Sequence, residues 1–213
     1  MASSQKELFR WAEQIPAESW IDLCNRSPQQ AAESVGAVWD GKFFKVPLLG
    51  VQYIIDPANQ RINMASNADH PVSYQAGILL LTTLSFSKGV PPSGRLTVPQ
   101  ELPGGRMFFT GAHALATQPL AKRFEKASDQ LVNRAIEIGG EMIEGADIAI
   151  RLPGLPYVPL YILYWQGDQE VPARAMIGID DRAYFHLDLA GVFALTNILV
   201  FEFCRVDKNR TTG

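Results

Sequence analysis

Two apolar segments of this chain match residue by residue without a gap. Ala76-Gly77-Ile78-Leu79-Leu80-Leu81-Thr82-Thr83-Leu84 aligns with Ala190-Gly191-Val192-Phe193-Ala194-Leu195-Thr196-Asn197-Ile198. Each reads as a buried helix, over residues 72–88 and 187–205, and each closes a run of short β-rich segments. The first run covers residues 42–46, 51–56 and 61–65, with turn chemistry at 47–50 and at Asp56-Pro57-Ala58-Asn59. The second covers 147–152, 157–165 and 173–179. Ile148, Ile150 and Leu152 alternate there with Asp147, Ala149 and Arg151, and the 157–165 segment is apolar throughout and belongs at the sheet centre. Asp40-Gly41 and Glu144-Gly145 stand at matching places upstream, as do Asp56-Pro57 and Gly167-Asp168.

This pattern predicts an α+β fold of two α-βββ-α repeats. Each has an antiparallel three-stranded meander, and the two are related by a pseudo-twofold axis, with extra helices at the N-terminus. Gly77 and Gly191 are expected to let backbones approach closely at the seam, so that leucine at either would overpack it. Residues 1–36 supply the added helices: Leu8, Trp11, Ala12 and Ile15 form one face, Pro16 breaks it, and a second helix covers 17–25. A third opens at Ser27-Pro28, with serine as N-cap, and stops at Gly36. The first unit is residues 37–89, the second 119–206, and a tail at 207–213 is expected to be disordered. Between the units, residues 90–118 are rich in glycine and proline. Met107-Phe108-Phe109 is too apolar for a free linker, so an ordered connector carrying a strand is expected there. Helices over 119–126 and 129–138 follow, the latter with Ser128 as N-cap and Gly139-Gly140 as the stop.

With 213 residues the chain suits one domain, and 47% apolar against 19% charged residues is a folding composition. The net charge of −3 and scattered Lys and Arg disfavour nucleic acid as a partner, since phosphate neutralisation needs a basic surface. Met1 to Glu7 carries no apolar leader, and the apolar stretch 187–203 is interrupted by Asp188, Asn197 and Glu202. Neither a signal peptide nor a membrane span is expected, and a cytoplasmic setting follows. Cys24 and Cys204 lie in apolar helical patterns and read as two buried thiols.

One further set of residues resembles a known family. Leu102-Pro103-Gly104-Gly105, Phe109 with His113, Pro119-Leu120 with Phe124, Gly139-Gly140, Ala146-Asp147 and Leu155-Pro156-Tyr157-Val158-Pro159 fit its pattern. So does Leu49-Gly50-Val51-Gln52-Tyr53-Ile54-Ile55, and most specifically Trp165-Gln166-Gly167-Asp168-Gln169-Glu170-Val171-Pro172-Ala173. Over roughly residues 42–200 the chain is similar to the bacterial and archaeal family called domain of unknown function 3786. The resemblance brings no activity. It implies relatives in anaerobes, some with added cysteine-rich Fe–S segments and some beside corrinoid or one-carbon enzymes. This chain has no such cysteine segment, and Val171 and Ile179 stand where the family pattern has aromatics.

Two constellations carry candidate chemistry. The first is the hairpin after Trp165, where Asp168 and Glu170 at i and i+2 of an extended strand would point the same way and share a divalent metal or a proton. Arg174 follows, with Asp180-Asp181 at the far strand end; the plainer alternative is a solvated turn. The second is the connector, where Gly104-Gly105 beside Arg106 could hold an anion and His113 could ligate a metal or the iron or cobalt of a tetrapyrrole or corrinoid. The plainer alternative there is a surface histidine beside a turn. His70 and His186 have no partner legible in the sequence, and no nucleophile, zincin or phosphate-loop motif is present. The leading expectation is a non-catalytic binding or accessory module. It would hold a small molecule or protein partner in the cleft between the repeats, through Arg106, His113, Trp165, Asp168, Glu170 and Arg174. The alternatives are a metal-dependent enzyme using Asp168 and Glu170, and a structural interaction subunit.

Overall fold

Proline and glycine punctuate the N-terminal helices as their chemistry requires. The computed structural model describes residues 11–205; Leu8 and the tail at 207–213 lie outside the described residues. Of the stripe expected from Leu8 to Ile15, the described part holds a 3-10 turn, Ala12–Gln14, with Ala12 and Ile15 buried. Helix α1 (Ala17–Cys24) follows Pro16 and buries Trp20 and Leu23. Helix α2 (Pro28–Val35) has proline in its first turn and ends at Gly36, whose φ of 68° is the left-handed conformation that only glycine adopts cheaply. Ser27 precedes it without a side-chain capping bond.

Strands β1 (Val38–Trp39), β2 (Phe44–Leu48), β3 (Val51–Asp56) and β4 (Arg61–Met64) pair antiparallel in that order. The expected three-stranded meander is thus a four-stranded one, because β1 adds a short edge. The first turn is tighter than expected. Pro47 and Leu48 belong to β2, and Leu49 (φ 48°) with Gly50 (φ 76°) makes the reversal, as a two-residue hairpin favours. Pro47 is tolerated because β1 reaches no further along β2 than Lys45, leaving an edge beyond it.

Helix α3 (Tyr74–Phe86) starts at Ser73, whose hydroxyl accepts from the Ala76 N–H at 3.2 Å. Its other end is closed by Arg26, which donates from Nη1 to the Leu84 carbonyl at 2.9 Å and from Nη2 to the Ser87 carbonyl at 2.8 Å. A guanidinium on the last carbonyls meets both their unpaired state and the negative end of the helix dipole. Arg26→Ala should therefore lower stability by about 1.5–3 kcal/mol, seen as a reduced urea midpoint with an unchanged m-value.

The connector is ordered through strand β5 (Leu96–Thr97), a 3-10 turn at Pro99–Glu101, helix α4 (Gly105–Phe108) and a 3-10 turn at Gly111–His113. The strand expected around Met107 is the helical turn α4 instead, and the true strand, β5, lies earlier. Helices α5 (Thr117–Phe124) and α6 (Ser128–Glu137) follow, and Ser128 is the first helical residue with Ala127 in the capping position. Strands β6 (Glu141–Ile143), β7 (Ile148–Leu155), β8 (Val158–Trp165) and β9 (Arg174–Asp180) form a second antiparallel sheet in the order β5-β9-β8-β7-β6. The apolar β8 holds the centre, as its composition requires, and β5 and β6 extend the expected three strands to five. Helix α7 (Leu189–Cys204) closes the chain, with the Asp188 carboxylate accepting from the Gly191 N–H at 2.7 Å. The α+β class stands.

The seam where a cleft was expected is packed. β2 lies against β7 and α3 against α7, and side chains of both units share one apolar cluster that includes Phe44, Val46, Leu80, Leu84, Ile150, Ile162, Leu195 and Leu199. The Leu49 N–H donates to the Gly154 carbonyl at 2.9 Å across it. The gapless match does not line the two closing helices up by burial or by cap. In that match Ala76 is buried but Ala190 exposed, and Leu80 is buried but Ala194 only half-buried. Shifting by one pairs the caps Ser73 and Asp188, the buried Leu80 and Leu195, Leu84 and Leu199, and the exposed Phe86 and Phe201.

The shared Ala-Gly pair therefore falls on non-equivalent positions, which corrects the expectation for its glycines. A Cβ on Gly77 would lie 2.6 Å from Ile15 Cδ1 and 3.1 Å from Ala12 Cβ, in the N-terminal segment, whereas the nearest atoms to one on Gly191 would be those of Asp188 and Leu187, no closer than 3.2 Å. Gly77→Leu should thus destabilise by about 1–3 kcal/mol, and Gly191→Leu by clearly less, in paired thermal melts. The cysteine expectation is also corrected: Cys24 is exposed, one position round the helix from buried Leu23, and Cys204 is half-buried. Among the described residues no helix is long and apolar enough to cross a membrane.

Candidate functional site

Trp165 ends β8 directly opposite Arg174, which begins β9. Such cross-strand neighbours sit within reach of one another, and the Arg174 guanidinium lies 4.2 Å from the Trp165 ring centroid. Trp165 also packs on a small cluster of Ala149, Tyr161 and Leu163 on the outer face of the five-stranded sheet. The loop between the two strands is a self-satisfied turn. The Asp168 carboxylate accepts from the N–H groups of Glu170 and Val171, each at 2.8 Å, and the Asp168 N–H donates to the Val171 carbonyl at 2.9 Å. The amides of Val171 and then Glu170 hold the Asp168 carboxyl below its ordinary pKa. Asp168 and Glu170 therefore do not lie on an extended strand as expected: both are in the loop, Asp168 serves the turn, and Glu170 is exposed. Among the described residues no three His, Cys, Asp or Glu side chains are grouped as a metal site would need.

The connector residues form a different surface. Gly104 takes φ 80° to start α4, and Arg106 reaches back to Glu101, its Nη2 donating to the two carboxylate oxygens at 2.9 and 3.1 Å. The anion beside Arg106 is thus the chain's own carboxylate. His113 lies flat on the Phe108 ring, centroids 4.5 Å apart and planes at 22°, and edge-on to Phe193 of α7 at 5.2 Å. Phe108 and Phe193 meet edge to face at 6.4 Å. The His113 side chain is exposed and makes no hydrogen bond among the described residues. Met107 beside it is 87% exposed, where a thioether in a folded domain ordinarily packs inward. Gln100, Glu101, Leu102, Gly104, Arg106 and Met107 line a shallow depression of about 160 Å³.

The structure thus keeps Arg106 and His113 in the connector, Arg106 at the depression with Glu101 and His113 against the rings of Phe108 and Phe193, and places Trp165, Asp168, Glu170 and Arg174 on a separate hairpin. Among the described residues no hydrogen bond, ion pair or ring contact joins the two groups. Phe193 is the site residue that sequence reasoning missed. Its signal was present: α7 is apolar all round, yet Phe193, Asn197 and Phe201 recur at i, i+4 and i+8 along its outer side.

A family described as Domain of unknown function (DUF3786) has a model that matches residues 27–202, from the residue before α2 to the last turn of α7. No curated protein and no solved structure matches the chain. The match takes in both sheets, the connector and both closing helices, more than the segment carrying the sequence signature. On that extent, the chain belongs to the DUF3786 family.

Proposed function

We propose that this protein is a non-catalytic binding or accessory module whose recognition surface is the connector face of Arg106, Met107, Phe108 and His113 with Phe193. The observation that carries the reading is His113, an exposed imidazole held in place by two aromatic rings, with neither nitrogen hydrogen-bonded among the described residues. A ring fixed by stacking keeps its donor and acceptor for something outside the chain. The depression of about 160 Å³ is smaller than the ~300–1,000 Å³ that encloses a drug-sized ligand. That supports a small molecule or protein partner lying across the face. Free thiols at Cys24 and Cys204 suit a reducing compartment, and a cytoplasmic location is part of the same reading.

Native mass spectrometry of anaerobically purified protein tests this. The wild type should retain a bound species that His113→Ala loses, while its thermal midpoint stays unchanged, as surface substitutions ordinarily leave it. A wild type that flies at its bare chain mass under every gentle condition would count against the reading.

A further inference from the structure

Away from that face, a buried polar chain crosses the seam. His186 is 2% exposed and Ser87 is 2% exposed. The Ser87 hydroxyl lies 2.6 Å from His186 Nδ1 and 2.5 Å from the Ser34 carbonyl oxygen, and His186 Nε2 lies 2.7 Å from the Val90 carbonyl oxygen. Ser34 is the penultimate residue of α2, so its carbonyl is among those a helix leaves without an internal partner. Counting hydrogens decides what this chain can do. A carbonyl only accepts, so Nε2 carries a hydrogen toward Val90 in either charge state. Ser87 has one hydroxyl hydrogen and two acceptors competing for it, the Ser34 carbonyl and a bare Nδ1.

We propose that His186, Ser87 and Ser34 form a proton-operated latch. With neutral imidazole, the Ser87 hydroxyl donates to Nδ1 and the Ser34 carbonyl has no donor. When a proton from solvent binds Nδ1, that N–H donates to Ser87 Oγ, and the hydroxyl turns to donate to Ser34. No covalent bond changes; one hydroxyl rotates and one hydrogen bond is added at the end of α2. The latch joins α2 to the turn ahead of α7, the helix that carries Phe193.

The charges around it act in both directions. The buried Asp180 carboxylate on β9 and the Val90 carbonyl favour the proton, while burial disfavours it and dominates, so the His186 pKa is held below its ordinary 6.5. Arg26 is committed to the Ser87 carbonyl, Arg182 to the Pro91 carbonyl, and Lys88 lies over the Phe185 ring. Glu33 on α2 is exposed and bonded to Gln29, Asp181 is paired with Arg95, Asp188 caps α7, and the Tyr157 ring stands 5.7 Å from the imidazole. Because the folded pKa is the lower one, the neutral latch contributes stability that is present above pH 6.5 and is lost as pH falls through the folded pKa.

The test is a pH titration by nuclear magnetic resonance on the full chain, following the His186 ring nitrogens and the Ser34 carbonyl carbon together. The latch requires an Nε2–H tautomer at high pH and a Ser34 carbonyl shift whose midpoint coincides with that of His186. It also requires that Ser87→Ala move the His186 midpoint further down, since the charged state loses two hydrogen bonds and the neutral state one. In His186→Gln the Ser34 carbonyl should stop responding to pH. An Nδ1–H tautomer, a Ser34 carbonyl indifferent to the His186 titration, or a midpoint that rises in Ser87→Ala would overturn the proposal. The first two are read on the wild type, so a variant that fails to fold leaves the test intact.

Discussion

Asp180→Ala should destabilise the fold by about 3 kcal/mol, from the loss of several charge-assisted hydrogen bonds at about 1.5–3 kcal/mol each, offset by water reaching the freed amides. Asp180 ends β9 and is fully buried. Its carboxylate accepts from the N–H groups of Gly94 at 2.8 Å, Arg182 at 3.0 Å and Ser93 at 3.1 Å. Two of these amides belong to the connector just before β5, and the third starts the turn toward α7. One carboxylate therefore fastens the connector to the sheet and sets the exit of β9. Next to it, Asp181 holds the Ser93 hydroxyl at 2.5 Å and pairs with Arg95, and its N–H donates to the Arg95 carbonyl at 3.0 Å. Asp180→Asn discriminates between shape and charge, because it keeps the volume but turns one acceptor into an NH₂ that faces an N–H donor. Both variants should lower the urea midpoint, and amide exchange should rise first at Ser93, Gly94 and Leu96. An asparagine variant as stable as wild type would mean that the carboxylate does not hold β5 in place.

The parts of the fold legible in the sequence are those with a long period or a strong punctuation. β8 could be placed at the sheet centre because eight residues without a solvated face demand cover on both sides. Gly36, Pro16 and Gly139 ended elements where expected because their backbone chemistry is local. β1, β5 and β6 were not legible: two or three residues carry no alternation, and they become strands only because an edge of a longer neighbour is there to pair with. The mismatch of α3 and α7 in the gapless match has a similar cause. Helices that are apolar all round carry no moment to fix their rotation, so the Ala-Gly identity could be matched in the sequence without regard to the caps Ser73 and Asp188.

Of the candidate site, residue type was legible and company was not. Asp168 stood out as a carboxylate after Gly167, but the choice between a ligand and a turn depends on where the amides of Glu170 and Val171 point. His113 stood out as an isolated histidine, and Phe193, the ring that meets it edge-on while it lies on Phe108, is 80 positions further along the sequence. His186 showed the same limit more sharply: its partners Ser87 and Val90 come from the end of the first unit and the start of the connector, beyond any spacing rule.

The stability of the proposed recognition face rests on a single glycine, and Gly105→Ala should destabilise by about 3 kcal/mol, at the upper end of overpacking. Gly105 is buried as the first residue of α4, its N–H donating to the Leu102 carbonyl at 2.8 Å. An added Cβ would stand 2.2 Å from the Pro99 carbonyl oxygen and 2.9 Å from that of Gln100. Both are backbone atoms of the preceding 3-10 turn, so no side-chain rotation relieves the contact and α4 must move off that turn. Phe108 ends α4, so the movement also shifts the ring on which His113 lies. Gly111→Ala is the matched control in the same segment: Gly111 has φ 54° but nothing within 4 Å of its would-be Cβ, so only the left-handed backbone is penalised, by about 1–2 kcal/mol. Thermal melts should rank wild type above Gly111→Ala above Gly105→Ala. Only Gly105→Ala should also lose the upfield ring-current shift of the His113 ring protons that stacking on Phe108 imposes. If Gly105→Ala melts with the wild type and keeps that shift, α4 is not held by this close approach, and the face on which the function is proposed has another support.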